Sequence, residues 1–317
     1  MAYRMNWSES GIAMLGPTES GKSTFLCALK KALLDQDEDW VLFTRDAASQ
    51  RTLDEMSDAL VSEGGLPLPT RIIDTVRWVL SGPIERTERR GRFGTETKVQ
   101  DRVEITLRLT DAPGELGRSD HIGDTERNEL IKQLADSRGI LYMFDPIREF
   151  THGDAFQRTA SLLGELMGVA SKEPGFTGKL PHHLAVCVTK LDDPRVFQSA
   201  QDLNLLISDD NSRWGFPRVD ETDARELFHA LGEISSSGNG EAIPRLLERH
   251  FYPERIRYYV TSAVGFMVNR RTRRFDPRDT VNVYPTASGE PLVRGPVHPI
   301  NVVEPVLWIA RQLAPVG

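Results

Sequence analysis

Three short stretches of the 317-residue chain carry residue types whose spacing could do chemistry. The first is LGPTESGKSTF, residues 15–25. It has the pattern G-x-x-x-x-G-K-S, with Gly16, Gly21, Lys22 and Ser23 at the fixed positions. Glycines in such a loop let consecutive backbone N–H groups curl around an anion, and a helix that follows adds its positive N-terminus. The loop residues Pro17, Thr18, Glu19, Ser20 and Thr24 would line the same phosphates. Lys22 would reach the terminal ones, and the Ser23 hydroxyl would bind Mg²⁺. Chance alone would place this pattern in roughly one chain of this length in a hundred.

The second stretch, LTDAPGE, puts Asp111 at the end of an alternating apolar run. An acid there, beside a phosphate loop, would hold the Mg²⁺ ion through water. Gly114 would offer a backbone N–H to the terminal phosphate. D-x-x-G recurs at Asp120–Gly123, but only Asp111 follows a strand-like run. The third stretch is CVTKLDD. Guanine presents two adjacent donors, a ring N–H and an exocyclic amino group, and a carboxylate can accept from both. Adenine has no such pair. Asp192 would do this, while the stem of Lys190 would lie over the purine face. Thr189 stands where asparagine is more usual, and its hydroxyl could tie this loop to the phosphate loop. Further on, VTSAVG places Ser262 and Ala263 after the last apolar run, where the Ala263 N–H could meet the guanine oxygen.

The elements that must position these residues follow from periodicity. Residues 10–15, 103–109, 139–145, 183–192 and 256–264 read as strands or strand ends. IIDTVRWVL, the basic turn RTERRGRFG and RVEITLRLTD together suggest a long β-hairpin. TFLCALKKALL reads as a helix with Phe25, Leu26, Leu29, Leu33 and Leu34 on or near one face. Helices are also expected over residues 46–62, 125–137, 156–170, 224–234, 243–251 and 301–314. Residues 194–220 read as irregular and 269–300 as loop-rich. Strands alternating with helices indicate an α/β fold, a largely parallel sheet covered on both faces. One domain over residues 1–317 is expected, with insertions at about 194–250 and 269–300 and a C-terminal helix.

With the motifs in this order, the chain resembles a Ras-like GTPase of the translation-factor-related class. The resemblance covers residues 10–192 and 255–268. It implies a P-loop NTPase three-layer sandwich, a six-stranded mixed and mostly parallel sheet with one antiparallel strand. It also implies GTP and GDP as ligands with Mg²⁺, and a switch that answers the γ-phosphate. More narrowly, IAMLGPTESGKSTFLCAL, DAPGE and HPINVVEPVLWIARQL resemble the bacterial double-GTPase family, associated with conflict or defence gene neighbourhoods. Such GTPases close a threonine over the metal and the γ-phosphate. Thr70 is the best candidate and Thr75 the runner-up.

Two departures from the family pattern point to slow turnover. Glu115 follows the D-x-x-G glycine, where glutamine commonly orients the attacking water. An ionised carboxylate there is repelled by the phosphate. Thr18 and Glu19 are bulkier than the small residues common at those positions. Arg118 could supply positive charge, although a solvated arginine is the plainer reading. The resulting expectation is a GTP-hydrolysing switch controlling a protein effector or activator. A module that holds GTP or GDP without useful hydrolysis is the alternative, and an ATPase or P-loop kinase is a third reading that Asp192 argues against.

Composition narrows the partners. The net charge of −7 argues against a general nucleic-acid binder. Local basic stretches remain, at Arg86, Arg89, Arg90 and Arg92 and at Arg270, Arg271, Arg273 and Arg274, and both read first as solvated loops. No run of eighteen apolar residues occurs. The first residues, MAYRMNWSESG, lack the apolar core of a signal peptide. The two cysteines, Cys27 and Cys187, lie in apolar surroundings. The expectation is a reduced, cytoplasmic protein with no membrane partner.

Overall fold

A computed structural model describes residues 11–17, 20–35, 39–62, 66, 76–90, 95–109, 124–208, 213–286 and 291–313. Among these, the principal sheet has seven strands in the order β2-β3-β4-β1-β5-β6-β9. They are β1 (Gly11–Leu15), β2 (Val41–Thr44), β3 (Val76–Arg90), β4 (Thr95–Leu109), β5 (Gly139–Phe144), β6 (His183–Val188) and β9 (Ile256–Val260). Strands β4, β1, β5, β6 and β9 pair in parallel. β3 pairs antiparallel with both β4 and β2, so it alone runs against the rest. This is an α/β mixed sheet, mostly parallel. The expected count was six strands. The seventh is β2, four residues that add to the free edge of β3 from Val41↔Ser81 to Thr44↔Trp78.

The β3–β4 hairpin pairs continuously from Val76↔Leu109 to Arg90↔Thr95. Its strands are fifteen residues each, so the pairing runs into the basic stretch at 86–94 that read as a turn. The central strands are apolar almost throughout, as strands covered on both faces must be. All six residues of β5 are buried.

Side chains alternate between two helical layers. Ala13, Leu15, Ile140, Tyr142, Leu184, Val186 and Val188 share one core. That core is closed by α3 (Asp124–Asp136), α5 (Ala155–Ala170), α6 (Pro194–Asp202), α7 (Glu221–Glu233) and α8 (Ala242–His250). Ile12, Met14, Leu141, Met143, Ala185 and Cys187 face the other way. There they meet α1 (Lys22–Asp35) and α9 (Glu304–Leu313), with Leu53 of α2 (Ala47–Ser62). Phe25, Leu26, Leu29 and Leu33 of α1 are buried, but Leu34 is 78% exposed. At 100° per residue Leu34 has turned past the edge of the apolar stripe.

Within the stretch that reads as irregular, the described residues 194–208 and 213–220 hold regular elements. Asp193 caps α6 by accepting from the Arg195 N–H at 2.9 Å, with Pro194 in the first turn. Two three-residue strands follow, β7 (Leu206–Ser208) and β8 (Pro217–Val219), paired antiparallel. A second small ribbon, β10 (Val283–Pro285) with β11 (Pro291–Val293), lies in the loop-rich stretch. The short helix α4 (Pro146–His152) follows β5 directly. α7 and α8 put Leu227, Phe228, Leu231, Ile243 and Leu247 into the main core, so that part of 194–250 helps cover the sheet. Among the described residues no helix is long and apolar enough to cross a membrane.

Candidate nucleotide site

Parallel strands deliver the loops that follow them to one edge of a sheet. Here β1, β5, β6 and β9 end side by side, as the pairs Leu15↔Tyr142, Phe144↔Val188 and Val188↔Val260 show. The last residue of β4, Leu109, pairs with Met14, so β4 ends beside the same loop. The structure therefore brings Gly16, Pro17, Ser20, Gly21, Lys22, Ser23 and Thr24 to the same edge as Thr189, Lys190, Asp192, Ser262 and Ala263. Two strand spacings, about 10 Å, separate the loop after β1 from the loop after β6. Thr18, Glu19, Thr70, Thr75, Asp111, Gly114, Glu115 and Arg118 lie outside the described residues.

At the first corner, the loop passes tight against β5. A Cβ on Gly16 would stand 2.8 Å from Ser20 Oγ and 2.9 Å from both Cβ and O of Met143, so only glycine fits. Gly21 has φ +86°, a left-handed conformation that turns the chain into α1. The helix opens with Phe25 N–H donating to Gly21 O at 2.7 Å and has no acidic residue in its first turn. No acidic side chain of that turn offsets its positive N-terminus. Lys22 is buried, and its ammonium donates to Gly16 O at 2.9 Å and Pro17 O at 2.8 Å. The Ser20 hydroxyl is buried with no hydrogen-bond partner among the described residues. A buried polar atom of this kind calls for a ligand group. Ser23 lies half-buried in the first turn of α1. Among the described residues no three His, Cys, Asp or Glu side chains gather into a metal cluster. A single hydroxyl suits Mg²⁺, which takes few protein ligands and completes its shell with phosphate and water oxygens.

The second corner is a network of side chains. Thr189 donates to Phe144 O twice, from its N–H at 2.9 Å and its hydroxyl at 3.0 Å. Among the described residues the hydroxyl ties the loop to β5. Thr261 N–H donates to Val188 O and Leu191 N–H to Thr261 O, which stitches the β6 and β9 loops together. Ser262 donates its hydroxyl to Asp192 Oδ1 at 2.5 Å and accepts from Gly265 N–H at 2.8 Å. Ser262 is fully buried, so it holds the carboxylate in place from behind. Desolvation pushes the Asp192 carboxyl up to about 6, against the Ser262 hydrogen bond and the nearby Lys190 charge. Lys190 has φ +62° and donates to Asp145 Oδ2 at 2.6 Å. Asp145 belongs to none of the sequence motifs. Its signal was the Asp-Pro pair at 145–146, which marks a capped helix start.

Beyond this corner, Arg270, Arg271, Arg278 and Arg294 line an open cleft of about 960 Å³. Two of them are matched by carboxylates, Arg278 with Asp276 at 3.2 Å and Arg294 with Asp279 at 2.6 Å. Cys27 and Cys187 are buried free thiols, and burial pushes both upward in pKa, Cys27 to about 12.

No protein-family profile and no curated protein matches the chain. Several solved structures align with it loosely. The Arl6 BBS3 small GTPase from Trypanosoma brucei, bound to GppNp, aligns at 11% identity and a TM-score of 0.37 over 98% of this chain and all of that one. The Ski7 GTPase-like domain of S. cerevisiae, bound to GTP, aligns at 14% identity and a TM-score of 0.39, over 99% of this chain and 52% of that one. Era, in complex with MgGDPNP and a 16S ribosomal RNA segment, aligns at 13% identity and a TM-score of 0.29, over 75% of this chain and 54% of that one. The alignments thus span about half of the Ski7 and Era chains.

Proposed function

We propose that the chain is a GTP-binding switch of the P-loop GTPase type that hydrolyses GTP to GDP at a low intrinsic rate. The observation that carries this reading is the common edge. A phosphate-type loop with Lys22 and a guanine-type corner with Asp192 leave the same side of a parallel sheet, two strands apart. That is the arrangement a nucleotide needs to rest its base at one corner and its phosphates at the other.

In this reading Asp192 accepts from the two guanine donors, Ala263 offers its N–H to the guanine oxygen, and Lys190 covers the purine. Lys22 leaves the carbonyl oxygens of Gly16 and Pro17 for the β- and γ-phosphates. The residues of the loop, Thr18, Glu19 and Ser20 among them, surround the phosphates with N–H groups. Water attacks the γ-phosphate in line, and Lys22 with the backbone of Gly114 balances the charge that gathers on its oxygens. Ser23, Asp111 through water, and Thr70 or Thr75 would hold a Mg²⁺ ion, which would supply positive charge against the phosphates. Glu115 and the bulk of Thr18 and Glu19 keep the rate low. The narrower assignment, to a bacterial double-GTPase acting in signalling or defence through a protein partner, rests on the sequence resemblance alone. The one-domain organisation and a cytoplasmic site of action rest on the reading of linkers, apolar segments and cysteines in the sequence.

The test is a chromatographic assay of the purified protein with Mg²⁺, offered GTP and ATP separately, beside Lys22→Ala. GDP formed from GTP, and lost in the variant, supports the switch. Glu115 favours a second reading, a module that holds GTP without cutting it. Tight GTP binding with no GDP in a single turnover, with or without a partner protein, would select that reading. Cleavage of ATP in place of GTP overturns the role given to Asp192.

A further inference from the structure

At the edge of the sheet, both carboxylate oxygens of Asp145 are used. The aspartate follows the last residue of β5, and its side chain is 1% exposed. Oδ1 accepts from the N–H groups of Ile147 at 3.0 Å and Arg148 at 3.2 Å, so it caps α4. Oδ2 accepts from the Lys190 ammonium at 2.6 Å. A buried carboxylate needs such compensation, here a helix N-terminus on one oxygen and a cation on the other.

The partner is equally unusual. Lys190 is one of few non-glycine residues with positive φ, at +62°. A side chain in that region is strained and persists only where its surroundings over-determine it. The surroundings here are the Asp145 ion pair, the Leu191 N–H bond to Thr261 O at 3.1 Å and the Asp193 N–H bond to Lys190 O at 2.9 Å. This turn is also the one that presents Asp192.

α4 is itself anchored. Glu149 is buried, with Oε2 accepting from Ala155 N–H at 3.0 Å and Oε1 accepting from the Ser235 hydroxyl. Its backbone oxygen accepts from the Ser236 hydroxyl at 3.2 Å. The Lys190 ammonium is therefore fastened, through Asp145 and α4, to the loop between α7 and α8.

We infer that Asp145 is a positioning residue for guanine-nucleotide retention. It draws the charge of Lys190 onto the end of β5, which leaves the aliphatic stem for the purine and holds the left-handed turn that aims Asp192. This rests on the nucleotide reading given above. The clamp governs release of the base and leaves the phosphate loop alone.

Asp145→Asn separates the two jobs of the carboxylate. Asparagine caps a helix as well as aspartate does, so the α4 cap remains while the charge on Lys190's partner is lost. Lys190→Met keeps the stem and removes the ammonium. The readouts are the dissociation rate of a fluorescent GDP analogue and the affinity for inorganic pyrophosphate, which engages only the phosphate loop. Each single variant is expected to release GDP about tenfold faster, the double variant no faster than either, and pyrophosphate affinity to stay within about twofold. Unchanged GDP release in Asp145→Asn, additive single effects, or a parallel fall in pyrophosphate affinity each overturns the clamp. Wild-type protein that binds pyrophosphate but not GDP overturns the nucleotide reading, and the clamp with it. Wild-type GDP binding with an indifferent Asp145→Asn overturns the clamp alone.

Discussion

At the phosphate corner, the Lys22 ammonium donates, among the described residues, to the carbonyl oxygens of Gly16 and Pro17. At the base corner, Lys190 rests on a buried carboxylate, and Asp192 is held by a buried serine. Those two carbonyl contacts are readily exchanged for a phosphate. A phosphate oxygen carries full charge and outbids a carbonyl for an ammonium. The second corner is fastened by side chains, and in the proposed reading it meets the base without rearranging. The corners should therefore fail differently. Damage to the first costs affinity for any phosphate compound, and damage to the second costs the choice of base or its rate of release.

The largest effect expected is from Lys22→Ala. Affinity for GTP, GDP and pyrophosphate should fall together by a factor on the order of 10² to 10³, since a buried charge-assisted contact is lost. Calorimetric titration with the three ligands checks this. Loss confined to the nucleotides, with pyrophosphate unaffected, would mean that Lys22 belongs functionally to the base corner and would break the comparison.

Next in size is Asp192→Asn, expected to weaken GTP by about 10²-fold without touching pyrophosphate, because one partner of a paired donor set is left unmatched. Xanthine carries a carbonyl where guanine carries its amino group, and an asparagine amide can donate to it. Competition between GTP and xanthosine triphosphate should therefore reverse in the variant. A variant that loses both nucleotides equally would place the base elsewhere.

pH sharpens the same point. Burial raises the Asp192 carboxyl from its ordinary 3.8 to about 6. The folded protein without nucleotide thus takes up a proton near pH 6 that the unfolded chain takes up only near 3.8. Over that window its stability from this group rises as pH falls. Guanine binding needs the ionised form and runs the other way, weakening by about tenfold per pH unit below about 6 and levelling off above it. GDP titrations and thermal melts between about pH 5 and 7, compared with Asp192→Asn, separate the two slopes. A wild-type affinity flat across that range would remove Asp192 from base recognition.

Most of the large elements were legible in the sequence, and the reasons are local. β5 is an unbroken apolar run, β6 is one after its first residue His183, and α5 keeps one apolar face through Leu162, Leu163 and Leu166. The missing elements are too short to show a period. β2 has four residues, β7 and β8 three each, and α4 seven. Two of the missed helices did announce themselves, since Asp145-Pro146 and Asp193-Pro194 both place a capping carboxylate before a proline. The Asp145–Lys190 pair was out of reach for a different reason. Its members are 45 residues apart, and nothing joins them until the register Phe144↔Val188 sets the ends of β5 and β6 together.

Thr189 gives the smallest and most discriminating expectation. Its hydroxyl and its own N–H both serve Phe144 O, at 3.0 and 2.9 Å. Thr189→Val keeps the shape and removes the hydroxyl, while the carbonyl keeps its backbone donor. Thr189 is buried, so the change should cost about 1 kcal/mol in a denaturant melt. Affinity for GTP and for pyrophosphate should stay within about twofold, because the hydroxyl serves β5 and touches neither corner's ligand. A fall in pyrophosphate affinity would show the hydroxyl crossing to the phosphate loop when ligand binds. The two corners would then be one mechanical unit, and the separate failures expected of Lys22 and Asp192 would merge.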